Sequence, residues 1–461
     1  MFQRAVYSKR REELMSRMTS GIVLMPANDE SSMNYADNTY PFRQDSSFLY
    51  YFGVDFPGIT GIMDVDNHEV LIFGDDYTID DIVWMGPQPT IARRAGETGI
   101  AKTFPAAKLI DYLSAAETQG RAVHFLPPYR PEIILKLAQW FKKDPAVIGR
   151  HFSVELTRNV VAMREVKSAG EIEQIEQAVN VSVDMHVAAM KAVRPGMLEA
   201  EVAAKIHEVA LAANGAISFP IIATINGQTL HNHGYGNRVK SGDLFLVDAG
   251  AENEMHYCGD LSSTFPVDRQ FTTVQKEVYA ASLLAHEAAI AAIAPGVAYK
   301  EVHWAACRSI VDSMKQMGLM KGTTDEAVGR GAHALFFPCG TGHMMGLDVH
   351  DMENLGEVWV GYDGKPKNTQ FGLKSLRLAK ALKPGFVLTV EPGIYFIPEL
   401  MDLWRSQGHL DEFYNWDKIF QFKNFGGMRN EEDFVVTADG CRLLGKPKPK
   451  TIEQVEMLRQ F

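Results

Sequence analysis

The chain has 461 residues, of which 46% are hydrophobic and 22% charged, with a formal net charge of −11. This length allows two or three domains and at least one large core, and the acidic balance argues against nucleic acid or an anionic membrane as a partner. Cys258, Cys307, Cys339 and Cys441 form no disulfide framework or CxxC pair, the first residues are too charged for a secretory segment, and no apolar run reaches the roughly 18–20 residues that span a bilayer, so a cytoplasmic location is expected.

Residues 1–155 read as a first, smaller α/β domain. A charged surface helix over 8–19 precedes the apolar strand GIVLMPA. The runs YPFRQDSSFLYYFG, PGITGIMDV and HEVLIFGD then alternate with helical segments, as in a sheet covered by helices. Trp84, in IVWMG, is expected in the core, although an aromatic near a domain surface can also wall a neighbour's pocket. A linker is expected over 156–168. Ser168 and Glu171 form a capping box that opens a helix running to Pro195-Gly196, and residues 169–461 make up the second domain.

That second domain carries an internal repeat. HVAAMKAVRPG (186–196) and HEAAIAAIAPG (286–296) are 100 residues apart, and each is followed by a second amphipathic helix and then by apolar strands. The strands are IIATI, DLFLVDAG and LSSTFPV in the first copy, and FVLTVEPGIYF and EDFVVTAD in the second. A duplicated helix–helix–strand unit predicts two pseudo-symmetric halves around one central sheet, with a cleft to which both contribute.

The chemistry-bearing residues fall along the same strands. Asp248 and Asp260 lie 12 residues apart on the two arms of a predicted hairpin. An aspartate inside FLVDAG is costly unless paired or coordinated, and a turn-capping role for both is the weaker reading. Glu391 ends the strand FVLTV. In MRNEEDFVV, period two places Glu431 and Asp433 on one face and Glu432 on the other, so Glu431 or Glu432 is the ligand; Arg429 shares the Glu431 face and could orient that carboxylate. His343 lies among glycines, seven residues before His350. His231 and His233 could polarise an amide or carry protons. Four carboxylates and one imidazole suit two hard or borderline divalent cations, such as manganese or cobalt, better than a structural zinc, and point to metal-assisted hydrolysis. Gly340-Thr341-Gly342 lacks the strand–GxGxxG–helix context of a dinucleotide site.

Taken together, YPFRQDSSFLYYFG, VWMG, LVDAG, DLSSTFPV, GLDVHD, TVEPGIY and the Arg-x-Glu of MRNEED resemble the aminopeptidase P and prolidase family of dinuclear metallopeptidases, which has the pita-bread fold of methionine aminopeptidase. The resemblance covers nearly the whole chain. It implies an α/β (α+β) architecture with a pita-bread catalytic domain. It makes Asp248, Asp260, His343, Glu391 and Glu431 the ligands of two divalent ions, usually Mn2+, with Co2+ or Zn2+ as alternatives. Asp260 and Glu431 would bridge the ions, and Glu391 would also accept a proton. His231 and His350 match the family's catalytic histidines, Arg377 an arginine that holds a free carboxylate in dipeptidases, and Cys339 a substrate-binding histidine position.

Three departures accompany these matches: Cys339 stands where histidine is usual, Asn430 replaces an apolar residue, and the Asp248–Asp260 interval is one residue longer, which predicts an extra residue or bulge in the hairpin. The expected substrates are peptides with proline second. The long segment between Glu391 and Glu431, together with Arg377, favours an Xaa-Pro dipeptidase over an Xaa-Pro aminopeptidase. A creatinase-like metal-free hydrolase or a non-catalytic binding protein is the remote alternative, and a homodimer or higher homo-oligomer is expected.

Overall fold

In the computed structural model, which describes residues 1–460, the apolar runs of the first third become five strands. These are β1 (Ile22–Pro26), β2 (Thr60–Asp64), β3 (Glu69–Phe73), β4 (Lys102–Phe104) and β5 (Val123–His124), in the order β4-β3-β2-β1-β5. The three central strands pair antiparallel, and each edge strand runs parallel to its neighbour. Ile22, Leu24, Ile62 and Leu71 of the sheet pack with Leu109, Leu113 and Leu137 of the covering helices. At the end of β2, the buried Asp64 accepts from the Tyr112 hydroxyl (2.5 Å), from Asn67 and from Arg121.

These elements belong to a compact unit made of residues 1–164 and 352–359. The segment expected to be a linker is helical as far as Arg164: Ser153 caps the helix Val154–Arg164, and Leu156, Val160 and Val161 are buried. Trp84 is not in the core. It lies on the short helix Ile79–Met85, none of whose residues is buried, and its side chain is 85% exposed. The Thr78–Asp81 capping box closes that helix locally, so its IVWM run reads as core while nothing among the described residues covers it.

The second unit comprises the rest of the chain from Glu165. Its strands are β6 (Ala216–Ile217), β7 (Ile222–Thr224), β8 (Leu244–Ala249), β9 (Ala251–Glu252), β10 (Leu261–Pro266), β11 (Val387–Val390), β12 (Gly393–Tyr395), β13 (Gly427–Arg429), β14 (Glu432–Val436) and β15 (Cys441–Leu443). The capping box at Ser168 and Glu171 forms as expected and opens the helix Ala169–Ala192. The helix Glu199–Ala212 follows. The second pair of helices is Thr273–Ala291 and Tyr299–Gln316.

The 100-residue repeat recurs in the backbone hydrogen bonds. Gly196 N–H donates to Val239, Val239 N–H to Met197, and Glu199 N–H to Asn237. One period later, Gly296 donates to Leu382, Leu382 to Val297, and Tyr299 to Lys380, with each bond within 0.1 Å of its counterpart. Both glycines have positive φ, at 94° and 82°, where a side chain would be strained.

The strands do not form one continuous central sheet. They form β10-β8-β7 on one side and β11-β14-β15 on the other, with β12-β13 and β6-β9 as two-stranded pairs. Side chains and single bonds join β10 to the 429–431 segment: Glu431 N–H donates to the Ser262 carbonyl (3.2 Å), and the Thr264 hydroxyl bridges the Arg429 backbone. This seam is where the carboxylates gather.

Candidate metal centre

β8 and β10 pair antiparallel with Asp248 opposite Ser262, so Asp248 and Asp260 are diagonal neighbours on one face rather than directly opposed. The register of Ala249 with Leu261 continues unbroken to the Glu252–Cys258 bridge. The paired strands are therefore in regular register, and the irregularity of the longer hairpin falls at its loop, as the bulge that closes a three-residue turn. The hairpin closes in a short loop over 254–256, where His256 adopts the left-handed conformation (φ 66°) that such a loop requires.

Asp260 precedes β10, and its N–H donates to Asp433 Oδ2 (3.0 Å). His343 is fixed to β11 by reciprocal bonds with Thr389: its N–H meets the threonine hydroxyl (3.1 Å), and its carbonyl accepts the Thr389 N–H (3.0 Å). Gly342 makes this approach possible, because a Cβ there would collide with the Thr389 carbonyl oxygen and the Tyr299 hydroxyl. His343 Nδ1 faces the Met344 carbonyl at 3.0 Å, which turns Nε2 towards Asp260 Oδ2 (3.3 Å) and Glu391 Oε1 (3.5 Å). Glu391, just past β11, is tied by its N–H to the Thr341 carbonyl (2.7 Å).

Glu431 and Glu432 part company as strand alternation requires. Glu431 enters the cluster, where its Oε2 accepts from the Ser262 hydroxyl (2.7 Å), while Glu432 pairs with Lys450. Donor atoms of Asp260, His343 and Glu431 lie within 4.8 Å of one another. Arg429 does not hold Glu431 directly. Its guanidinium donates to Asp248 Oδ2, to the Ser262 hydroxyl (2.7 Å) and to Tyr395 OH (3.1 Å), and it reaches Glu431 through Ser262. Ser262, two residues after Asp260 and so on the same strand face, is a site residue that sequence reasoning missed. Tyr395 carried no such signal.

The electrostatics call for cations. Burial raises the Asp260 carboxyl, and the neighbouring Asp248 charge raises it further; burial likewise raises Glu391 and Glu431, and for Glu431 the charge of Asp260 adds to it. Asp248 Oδ1 and Asp260 Oδ1 are buried without a hydrogen-bond partner. Such oxygens must bind protons or metal. The donor set, four carboxylates and one imidazole whose Nε2 points inward, fits hard or borderline divalent ions.

Above the cluster opens a cleft of about 630 Å³, lined by His231, Cys339, His350, Arg377, Glu391 and Arg429 among others. The His350 ring stands edge-on to His343, with centroids 4.2 Å apart. Partial burial, then the Arg429 charge, holds His231 below its ordinary value, so its ring is neutral at neutral pH. The Cys339 thiol is pushed up to about 12, first by burial and then by the Glu391 charge. The far wall is built by Ile397, Leu400 and Leu403 with Phe371, and Glu399 adds a carboxylate to it. Three of these residues lie on the helix Pro398–Gln407, within the long segment that separates Glu391 from Glu431.

Residues 173–438 match the model of metallopeptidase family M24, and residues 7–124 match that of the aminopeptidase P N-terminal domain. The chain is 30% identical to the Homo sapiens Xaa-Pro dipeptidase, over 98% of this chain and 92% of the relative. It is 28% identical to the Escherichia coli Xaa-Pro aminopeptidase, over 99% and 97%. Among solved structures, a Pseudomonas aeruginosa aminopeptidase superposes with a TM-score of 0.82 at 27% identity, covering 99% of this chain and 98% of that one. Zinc-substituted Escherichia coli aminopeptidase P in complex with product gives 0.79 at 27% identity, with the same coverage.

Proposed function

The chain belongs to metallopeptidase family M24, and from that premise we propose that it hydrolyses the bond between an N-terminal residue and a following proline, with Xaa-Pro dipeptides as preferred substrates. It is a metallopeptidase that uses divalent metal ions, with a pita-bread catalytic domain that follows an aminopeptidase P-type N-terminal domain in the sequence. The observation that carries the reading is the convergence of Asp260, His343, Glu391 and Glu431 beneath an open cleft, with buried, unpartnered oxygens on Asp248 and Asp260. These residues would hold two ions, Mn2+ by preference. Bound there, such ions polarise a carbonyl and make water a nucleophile at neutral pH.

The chain's own groups do the rest. Glu391, raised by burial, accepts the proton of the attacking water and returns it to the departing proline nitrogen. The neutral His231, together with His350, donates hydrogen bonds to the substrate's carbonyl side. A tertiary amide offers no N–H, so recognition at the scissile bond rests on its carbonyl. Arg377 pairs with the free carboxylate of a dipeptide, and the 397–403 wall receives the pyrrolidine ring. Cys339 lends a neutral thiol, a poorer donor than an imidazole.

A second reading, an aminopeptidase acting on longer peptides, draws support from the openness of the cleft and from the likeness to aminopeptidase P structures. The metal-free and non-catalytic alternatives would leave four acidic side chains crowded without a cation. The proposal also includes a domain division near the 156–168 segment, a homo-oligomer, and a reducing, cytoplasmic setting, which four cysteines that form no disulfide favour.

The test compares kcat/KM of the Mn2+-loaded protein for an Xaa-Pro dipeptide and an Xaa-Pro-Yaa tripeptide. Dipeptide preference that Arg377→Ala abolishes, by raising KM for the dipeptide alone, supports the reading. Tripeptide preference would establish the aminopeptidase, and no cleavage with two ions bound would overturn both.

A further inference from the structure

A second group of metal-binding side chains lies outside the carboxylate centre. His303 and Cys307, one turn apart on the helix Tyr299–Gln316, share a face, and His333 comes to them from the 3-10 turn Ala332–Leu335. All three side chains are fully buried, and one donor atom from each lies within 4.8 Å of the others. We propose that His303, Cys307 and His333 form a further metal site that takes a thiolate-binding d10 cation, Cu+ in preference to Zn2+.

Three observations carry this. First, His303 is oriented as a ligand would be: its Nδ1 is engaged by the Thr341 hydroxyl (2.8 Å), which leaves Nε2 directed at Cys307 Sγ (3.4 Å). A hydrogen bond on one ring nitrogen that presents the other to the metal is the usual arrangement around metal-bound imidazoles. Second, neither ring nitrogen of His333 has a hydrogen-bond partner, and the Val328 backbone favours the protonated ring less than burial opposes it. A thiol-to-imidazole bond would satisfy Cys307 and His303 without any ion, but it leaves His333 orphaned in an apolar interior, at a cost a ligand would remove. Third, the surroundings are aromatic: Trp304 stands edge-on to His333 (5.9 Å), and Phe337 lies against His303 (5.6 Å).

The chemistry selects the ion. Burial holds His303 at about 3 and His333 at about 4, so both lone pairs are available at neutral pH. Burial also holds Cys307 as the thiol, so binding forms the metal–sulfur bond as the S–H proton leaves for solvent. A monovalent ion with one thiolate is then neutral, whereas a divalent ion would leave a buried net positive charge. Two imidazoles and a thiolate are a trigonal donor set for copper. Thr341 links this site to the loop that carries His343, because its carbonyl also accepts the Glu391 N–H.

The experiment uses the Mn2+-loaded full chain. Cu+ is supplied anaerobically in competition with a chromophoric Cu+ chelator, and X-ray absorption is recorded at the copper edge. The expected result is one Cu+ per chain with one sulfur and two imidazole neighbours. The sulfur shell persists in Cys339→Ser and disappears in Cys307→Ser, with affinity down at least tenfold. Thr341→Val, which keeps all three donors, weakens binding about 10–100-fold. Should Cys307→Ser fail to fold, the wild-type spectrum decides: no stoichiometric copper, or copper without sulfur, overturns the proposal. A sulfur shell lost in Cys339→Ser overturns it as well, and so does Zn2+ displacing Cu+ from these donors.

Discussion

Arg429 shows how much of the centre rests on residues that touch no metal. Its three contacts, to Asp248, Ser262 and Tyr395, brace the site. Arg429→Gln is therefore expected to lower Mn2+ affinity about 10–100-fold, read by calorimetric titration; unchanged affinity would remove the arginine from the support. Cys339 makes a chemical prediction. With its pKa near 12, its thiolate fraction at pH 8 is on the order of a thousandfold below that of a free cysteine. In the chelator-treated protein it should resist iodoacetamide under conditions that label a free thiol, and rapid labelling would contradict the raised thiol. At this scale the sequence was informative where strand alternation applied: period two separated Glu431 from Glu432, although it took Lys450 to show which face each occupies. The Arg429–Ser262–Glu431 relay was not legible, because it depends on β10 meeting the 429–431 segment across a sequence gap of more than 160 residues.

The loop carrying His343 has little tolerance. Gly342→Ala would force the loop away from Thr389 and displace the imidazole, so at least tenfold weaker metal binding is expected with the fold retained; an alanine variant with unchanged affinity would mean that the loop yields freely. In the first unit, the end of β2 is acid-sensitive. Burial alone would raise Asp64, but donors from Arg121, Tyr112 and Asn67 outweigh it and lower the carboxyl to about 2. A depressed carboxylate stabilises above its ordinary value of 3.8, and that contribution is lost as pH falls towards about 2. Arg121→Ala should cost about 3 kcal/mol by leaving the buried carboxylate without its cation. Urea unfolding of the variant should then show a smaller loss of stability between pH 4 and pH 2 than the wild type, because Tyr112 and Asn67 still bond the carboxylate. The elements themselves were largely legible. Capping boxes, apolar strands and the 100-residue repeat follow from local pattern, and the repeat proved to extend to individual backbone bonds. The split of the expected single sheet was hidden, because which strands share a ladder depends on long-range register.

For the whole molecule, the acidic centre makes stability depend on metal and pH together. Asp260, Glu391 and Glu431 are raised in the folded chain. Groups of that kind stabilise below their unfolded values and lose the contribution as pH climbs through the folded ones. The metal-free protein should therefore lose stability as pH rises from the ordinary carboxylate range towards neutrality. Mn2+ at about 100 times its Kd should restore about 2.7 kcal/mol per site at neutral pH. Calorimetric scans with and without Mn2+ at pH 5 and pH 7 check this; an equal metal effect at both would refute it. The last consequence is optical. Of the six tryptophans, Trp84 is the exposed one, while the others are buried or half-buried. Its indole emits as if in water and stays open to collisional quenchers, a built-in gauge of whatever meets the helix Ile79–Met85. Association through that face would move the red edge of the emission towards blue and shield it from acrylamide, in a protein carrying no added label.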